Sequence, residues 1–206
     1  GPARGKGGKY LFLPPGWEGE LPDGYYVNQS PTFGNWVLWR GFLVDGDPQP
    51  AVDSIKATLK IYPLAQAENP PQQKFINLSG KTFNTIHAND FGFYEEIAQV
   101  IQDEPIESLD PEFLGLLAAI GIEKGKPFAP DARMKAILTD AVAVANATAR
   151  SILFKSRKPE IFPYEDRTWF MGFIGGDHRF QPEGAKLLDV RTLFHYYATG
   201  ITPAMS

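Results

Sequence analysis

His87 and Asp90 form the pair of residues in this chain whose types and spacing best suit chemistry. They stand in the order H-x-x-D, between an extended segment and an amphipathic pattern that predicts a helix. If Asp90 caps that helix, His87 lies near the positive end of the helix dipole, where a neutral imidazole is favoured as a base or a metal ligand. The alternative is a loop histidine that bonds to the backbone beside an ordinary Asp N-cap.

A metal site built from histidines is a second possibility. The chain contains three histidines, which are His87, His178 and His195. Three imidazoles can hold zinc and leave a fourth position open for water. The spacing of these residues does not demand such a site, so the sequence leaves the cofactor open.

Two short motifs resemble known sites but lack the context of those sites. Asp90-Phe91-Gly92 repeats the three letters of the kinase metal-binding loop without the H-R-D segment or the strand lysine. The glycine-rich residues 5–9 precede a predicted strand instead of a helix, which is the wrong order for a phosphate-binding loop. The kinase interpretation of the first motif is therefore rejected, and the glycine-rich residues are interpreted as a solvated turn.

Composition narrows the classes of partner. The 206 residues carry a formal net charge of -4, which argues against nucleic acid as the main partner. The chain has no cysteine, so disulfides, thiolate catalysis and cysteine zinc sites are excluded. The apolar run Trp36 to Leu38 is far shorter than a membrane span, and we expect no span.

The first third of the chain predicts strands and turns. Aromatic and β-branched residues make Asn35 to Val44 the strongest strand prediction. Two short strands are expected at Lys9 to Leu13 and Tyr25 to Val27, and an edge strand at Phe75 to Leu78. One helix is expected at about residues 51–59.

Residues 90–155 predict three helices with good end signals. Asp110 precedes Pro111 as a cap, and Gly121 is placed to end that helix while Ile122 packs back on it. The longest helix is expected from Asp131 to Phe154. Beyond it we expect a strand at residues 169–174 and a last helix from Val190 to Thr199, capped by Asp189 and ended by Gly200.

Several blocks along the chain resemble bacterial proteins built from the domain of unknown function 1254 followed by the domain of unknown function 1214. These blocks are GKGGKYLFLPPGWEGELPDGYY, WVLWRGFLVDGDPQPAV, FNTIHANDFGFYEEI, IGIEKGKPFAPDARMKAILTDA and LFHYYATGITPAM. The resemblance implies an α+β chain whose N-terminal antiparallel segment belongs to a jelly-roll-like sandwich and is followed by a mainly helical segment. It also implies that this chain is an interior part of a longer protein.

The resemblance divides the chain into three parts. Residues 1–64 would close the first β domain, residues 65–188 would form the helical inter-domain segment, and residues 189–206 would lead to a second β domain. The family is bacterial, and the compartment, periplasmic or cytoplasmic, depends on an N-terminus expected to lie upstream.

Two functions are compatible with these observations. The leading prediction is a structural or interaction module of a two-β-domain homo-oligomer, in which exposed aromatic residues and the small residues Ala141, Ala145 and Ala149 make the contacts. The alternative is a metal-assisted or general-base hydrolase of a small hydrophobic substrate. In that case His87 and Asp90 would be catalytic, and His178 or His195 would complete the site.

Overall fold

The computed structural model describes residues 3–4, 6–37, 39–82 and 87–196. Two strands and five α-helices occur in this part of the chain. In chain order they are β1 Lys9–Leu13, β2 Tyr25–Gln29, α1 Gln49–Thr58, α2 Gly92–Asp103, α3 Pro111–Ala119, α4 Ala132–Phe154 and α5 Leu188–Tyr196.

The chain divides into two compact units. The first unit comprises Gly1–Thr82 with Asp103–Leu109, and the second comprises Phe83–Gln102 with Asp110–Ser206. The predicted boundaries at residues 64 and 188 stay predictions.

The expected jelly-roll-like sandwich is wrong for the described residues. The first unit contains one two-stranded sheet, in which β1 and β2 run parallel with Lys9 opposite Tyr25 and Leu13 opposite Gln29. Helices supply most of the regular structure in the chain. The strands at 9–13 and 25–27 are thus confirmed as elements, but the antiparallel fold built on them is not.

The strongest strand prediction is also wrong. Over its described residues, Asn35 to Val44 forms no strand, and only Val44 makes an isolated antiparallel bridge with Asp47 across the turn at Asp45-Gly46. Strand propensity reflects how well side chains fit a pleated surface between neighbouring strands, and the described residues place no strand beside this segment. Phe75 to Leu78 and residues 169–174 likewise form no strand.

In the second unit, the predicted helix that begins with an aspartate cap and ends at a glycine is confirmed. Asp110 accepts a hydrogen bond from the Glu112 backbone N–H and caps α3. At the other end Gly121 has a φ of 87°, and the Ile122 N–H donates to the Leu117 carbonyl at 2.9 Å. This is a Schellman ending, and it buries the Ile122 side chain as expected.

The longest helix begins at the predicted cap. Asp131 Oδ1 accepts from the Met134 N–H at 2.7 Å, and α4 then runs for 23 residues. Of the small residues expected to meet another element closely, Ala149 is buried, whereas Ala145 is exposed. By length and composition α4 is also apolar enough to cross a membrane, a test that core helices of soluble proteins pass as well.

The last helix begins earlier than expected. Because α5 starts at Leu188, Asp189 lies in its first turn and does not cap it. The Asp189 carboxylate instead accepts two hydrogen bonds from the Arg157 guanidinium, at 2.6 and 2.9 Å. The predicted end at Thr199 and Gly200 lies outside the described residues.

Buried apolar side chains are concentrated in the second unit. α5 packs against α4, and a cluster of fully buried residues forms where the loop after α4 returns to α5. This cluster consists of Ile161, Phe180, Val190 and Leu193. Further buried residues of the unit are Ala98, Ile101, Leu117, Ile122, Leu138, Val142 and Ala149.

Candidate functional site

His87 and Asp90 lie at the start of α2, as predicted, and each contacts the backbone. His87 Nδ1 lies 3.0 Å from the Ala88 carbonyl oxygen, so Nδ1 carries the proton and donates it. Asp90 Oδ1 accepts from the Gly92 N–H at 2.8 Å. These are the contacts of a backbone-bonding loop histidine and a helix cap. The residues just before His87, 83–86, lie outside the described part.

Packing around His87 orients its ring. The imidazole centroid is 5.5 Å from that of Phe93, in the first turn of α2. A neutral ring with its proton on Nδ1 keeps Nε2 as a proton acceptor, which is what a base or a metal ligand needs. The catalytic assignment of His87 and Asp90 stays a prediction, since the described contacts serve the helix start.

His178 and His195 lie in different surroundings. His178 is exposed in a turn whose preceding residue, Asp177, accepts from the backbone N–H groups of Arg179 and Gln181. The pKa of Asp177 lies below its ordinary value, mainly because of the hydrogen bond from the Arg179 N–H. Asp177 therefore organises the turn that contains His178.

His195 belongs to an aromatic group beside α5. Its ring centroid lies 5.8 Å from that of Phe180 and 5.7 Å from that of Phe194. Partial desolvation by this packing lowers the pKa of His195 below 6.5, and the positive charge of Arg191 lowers it further. A pKa below the ordinary value means that the neutral imidazole is favoured here.

Within the described residues, His, Asp and Glu side chains form no group of three that could hold a metal ion. The assignment of His87, His178 and His195 as metal ligands therefore rests on residue types alone and stays a prediction. The predicted small hydrophobic ligand also stays a prediction. Two shallow depressions on the first unit are each lined by a mixture of prolines, other apolar residues and polar residues.

The most distinctive surface of the described chain is the stretch where the strongest strand was predicted. We call residues 33–37 and 39–44 the aromatic segment. Trp36 and Phe42 are both 87% exposed, which leaves almost the whole of each ring in solvent. The other large apolar side chains exposed along it are Phe33, Val37, Trp39, Leu43 and Val44. The sequence identified these residues but predicted that they form a half-buried strand.

Hydrogen bonds fix the beginning of the aromatic segment. The Glu104 carboxylate accepts from the backbone N–H of Phe33 at 2.6 Å and of Gly34 at 2.8 Å. The buried Ser30 hydroxyl donates to Asn35 Oδ1 at 2.9 Å, and the Ser30 N–H donates to the Leu13 carbonyl at the end of β1. The segment therefore starts from a defined backbone position.

Close packing fixes its far end. A Cβ atom on Gly41 would lie 2.5 Å from the Cβ of Ala51 in α1, so only glycine allows the segment to pass this close to the helix. The Val44–Asp47 bridge then closes the turn that leads into α1. A backbone held at both ends presents its aromatic side chains outward with less conformational entropy left to lose on binding.

The fold and this surface define a helix-rich protein with an unpartnered aromatic face. Residues 1–63, which include the whole aromatic segment, match the family model described as Protein of unknown function (DUF1254). The match supports the resemblance to the domain of unknown function 1254 over that range. The domain of unknown function 1214 and the two-domain organisation stay predictions. No curated protein matches the chain.

Proposed function

We propose that this protein is an interaction module that self-associates through the aromatic segment. The observation that carries the proposal is the exposure of Trp36 and Phe42 on an anchored backbone. Contiguous exposed apolar surface of this kind marks protein–protein contact sites, and tryptophan is enriched among the residues that dominate binding energy.

A second copy of the chain is the proposed occupant. Most soluble oligomers are homo-oligomers with two-fold symmetry, in which one surface patch contacts its own copy. The aromatic segment supports such a contact because it is almost free of charge: Arg40 is its sole ionisable residue. Two like segments can therefore approach each other with little electrostatic repulsion.

The test is a matched pair of substitutions. Trp36→Ser removes an exposed indole from the aromatic segment, and Trp169→Ser removes one that is 75% exposed in the second unit. We expect Trp36→Ser to raise the dissociation constant of the oligomer by about tenfold or more in sedimentation equilibrium, as for an interface hot spot. Trp169→Ser should leave it unchanged.

Tryptophan emission gives a second readout of the same contact. Dilution through the dissociation constant should shift the emission to longer wavelength in the wild type, and this shift should shrink in Trp36→Ser. A wild-type chain that is monomeric at all concentrations, or an equal effect of both substitutions, contradicts the proposal.

A further inference from the structure

One of the two depressions on the first unit lies between the C-terminal end of α1 and the loop of residues 70–75. Its volume is about 530 Å³, which is within the range of small-molecule sites. The apolar part of its lining consists of Ala57, Leu59, Pro70, Pro71 and Phe75. Because 42% of Phe75 is exposed, the ring offers apolar surface that a ligand can cover.

The loop that forms one wall of the depression is held in place. Gln73 Oε1 accepts a hydrogen bond from the Ile61 N–H at 2.9 Å, and Gln73 Nε2 donates to the Pro71 carbonyl at 2.9 Å. The rings of Pro70 and Pro71 also restrict the backbone of this loop. The wall is therefore formed before any ligand arrives, which reduces the entropy lost on binding.

The charged groups of the depression are all positive. Lys56 and Lys60 both line it, and their side chains make no hydrogen bond or ion pair within the described residues. None of the lining residues is acidic. The acidic residues nearest in sequence are Asp53, whose carboxylate accepts from Gln49 Nε2 at 2.7 Å, and Glu68.

The end of α1 explains only one of these two lysines. Lys56 lies in the last turn of α1, where a cation also favours the helix dipole. Lys60 lies beyond the end of the helix, whose C-cap is Leu59. Two ammonium groups beside one depression repel each other, and an anion bound between them relieves that repulsion.

From this lining we infer that the depression binds a small organic anion, namely a carboxylate carried on an apolar chain. The carboxylate would accept charge-assisted hydrogen bonds from the ammonium groups of Lys56 and Lys60. The apolar chain would cover the ring of Phe75 and the neighbouring prolines. This site does not use the aromatic segment, so the inference does not depend on self-association.

Three probes separate the two halves of such a ligand in calorimetric titrations. Octanoate carries both the charge and the chain, acetate carries the charge alone, and octan-1-ol carries the chain alone. We expect octanoate to bind at least about fivefold more tightly than either of the others, since each half contributes to binding. Equal affinity of octanoate and acetate, or of octanoate and octan-1-ol, overturns the inference.

Substitutions locate the binding on the two lysines. Lys56→Gln and Lys60→Gln should each raise the dissociation constant of octanoate about two- to fivefold, as expected for exposed ion pairs. The control is Lys74→Gln, an exposed lysine of the same loop that does not line the depression and should leave binding unchanged. No effect at either lining lysine, or an equal effect at Lys74, contradicts the inference.

A reversal of ligand preference is the most specific test. The double substitution Lys56→Glu with Lys60→Glu should make the protein prefer octylammonium to octanoate, a result that a purely structural role of the lysines does not produce. Circular dichroism checks that the helices remain. A double variant that stays folded and still prefers octanoate overturns the inference.

The Trp36→Ser variant separates this site from the proposed function. Octanoate affinity should be unchanged in Trp36→Ser, whatever that substitution does to self-association. A loss of octanoate binding in Trp36→Ser as large as in the lysine variants would place the probe on the aromatic segment and overturn the inference.

Discussion

Leu193 in α5 and Leu43 in the aromatic segment are the same residue type in the two units, and their surroundings differ completely. Leu193 is 0% exposed and lies in the cluster with Ile161, Phe180 and Val190, whereas Leu43 is 64% exposed. Among the described residues of the first unit, the buried ones are Ala3, Leu11, Leu13 and Ser30. The second unit therefore holds most of the buried apolar residues of the described chain, whereas the first unit exposes the aromatic segment.

The difference follows from how each type of element satisfies its backbone. A helix completes its hydrogen bonds within itself and needs only one apolar face to be covered. A strand needs another strand beside it before its backbone and side chains are satisfied. The helical unit can thus pack alone, while the strand-like sequence of the aromatic segment stays uncovered.

The largest expected change in the free energy of unfolding comes from truncating Leu193, and Leu43 is its matched control. Leu193→Ala removes buried methyl groups and leaves a cavity, so it should lower the free energy of unfolding by about 2–5 kcal/mol. Leu43→Ala removes exposed groups and should change it by less than about 0.5 kcal/mol. Urea denaturation of both variants, followed by helix circular dichroism, checks the pair. Similar losses at both positions would break the comparison.

An intermediate effect is expected at the end of α3. Gly121 has a φ of 87°, a conformation that costs an alanine about 1–2 kcal/mol, so Gly121→Ala should destabilise the second unit by that amount. The control is Gly115→Ala in the exposed middle of α3, where there is open space for a Cβ atom. That change should stabilise the helix by about 0.5–1 kcal/mol. Thermal unfolding of the two variants should move in opposite directions.

The smallest effect concerns the surface ion pairs at the start of α3. Lys186 Nζ lies 2.8 Å from Asp110 Oδ2 and 2.8 Å from Glu112 Oε2. The hydrogen bond from Lys186 is the main cause that lowers the pKa of Asp110 below 3.8, followed by the hydrogen bond from the Glu112 N–H. The ionised Asp110 carboxylate therefore contributes its full stabilisation of the folded state above pH 3.8. This contribution is lost as the pH falls through the lower pKa that Asp110 has in the folded state.

Lys186→Met tests this small contribution. The pKa of Asp110 should rise towards 3.8 in an NMR titration of its carboxyl group, and unfolding stability should depend less on pH on the acid side. Because the Glu112 N–H still donates, part of the lowering should remain. An unchanged pKa of Asp110 would show that the backbone cap alone sets it.

The sequence identified the residues of the aromatic segment but did not predict how exposed they are. Its residues were identified from their types, because tryptophan and phenylalanine at this density indicate either a core or an interface. They were predicted to form a half-buried strand because aromatic and β-branched residues fit a pleated surface, and these residue types do not distinguish such a strand from a segment that awaits a partner. Arg40 and Gly41 in the middle of the run were the signal that the pattern was interrupted.

The sequence by itself determined the helix ends of the second unit, because Asp110, Asp131 and Gly121 act on backbone groups within a few residues. The tertiary structure alone decided what Asn35 to Val44 became, since a strand exists only where another segment supplies the opposite half of its ladder. The tertiary structure also decided which side of α4 is buried. Packing against α5 buries one part of an apolar helix and leaves Val144 and Asp140 facing outward.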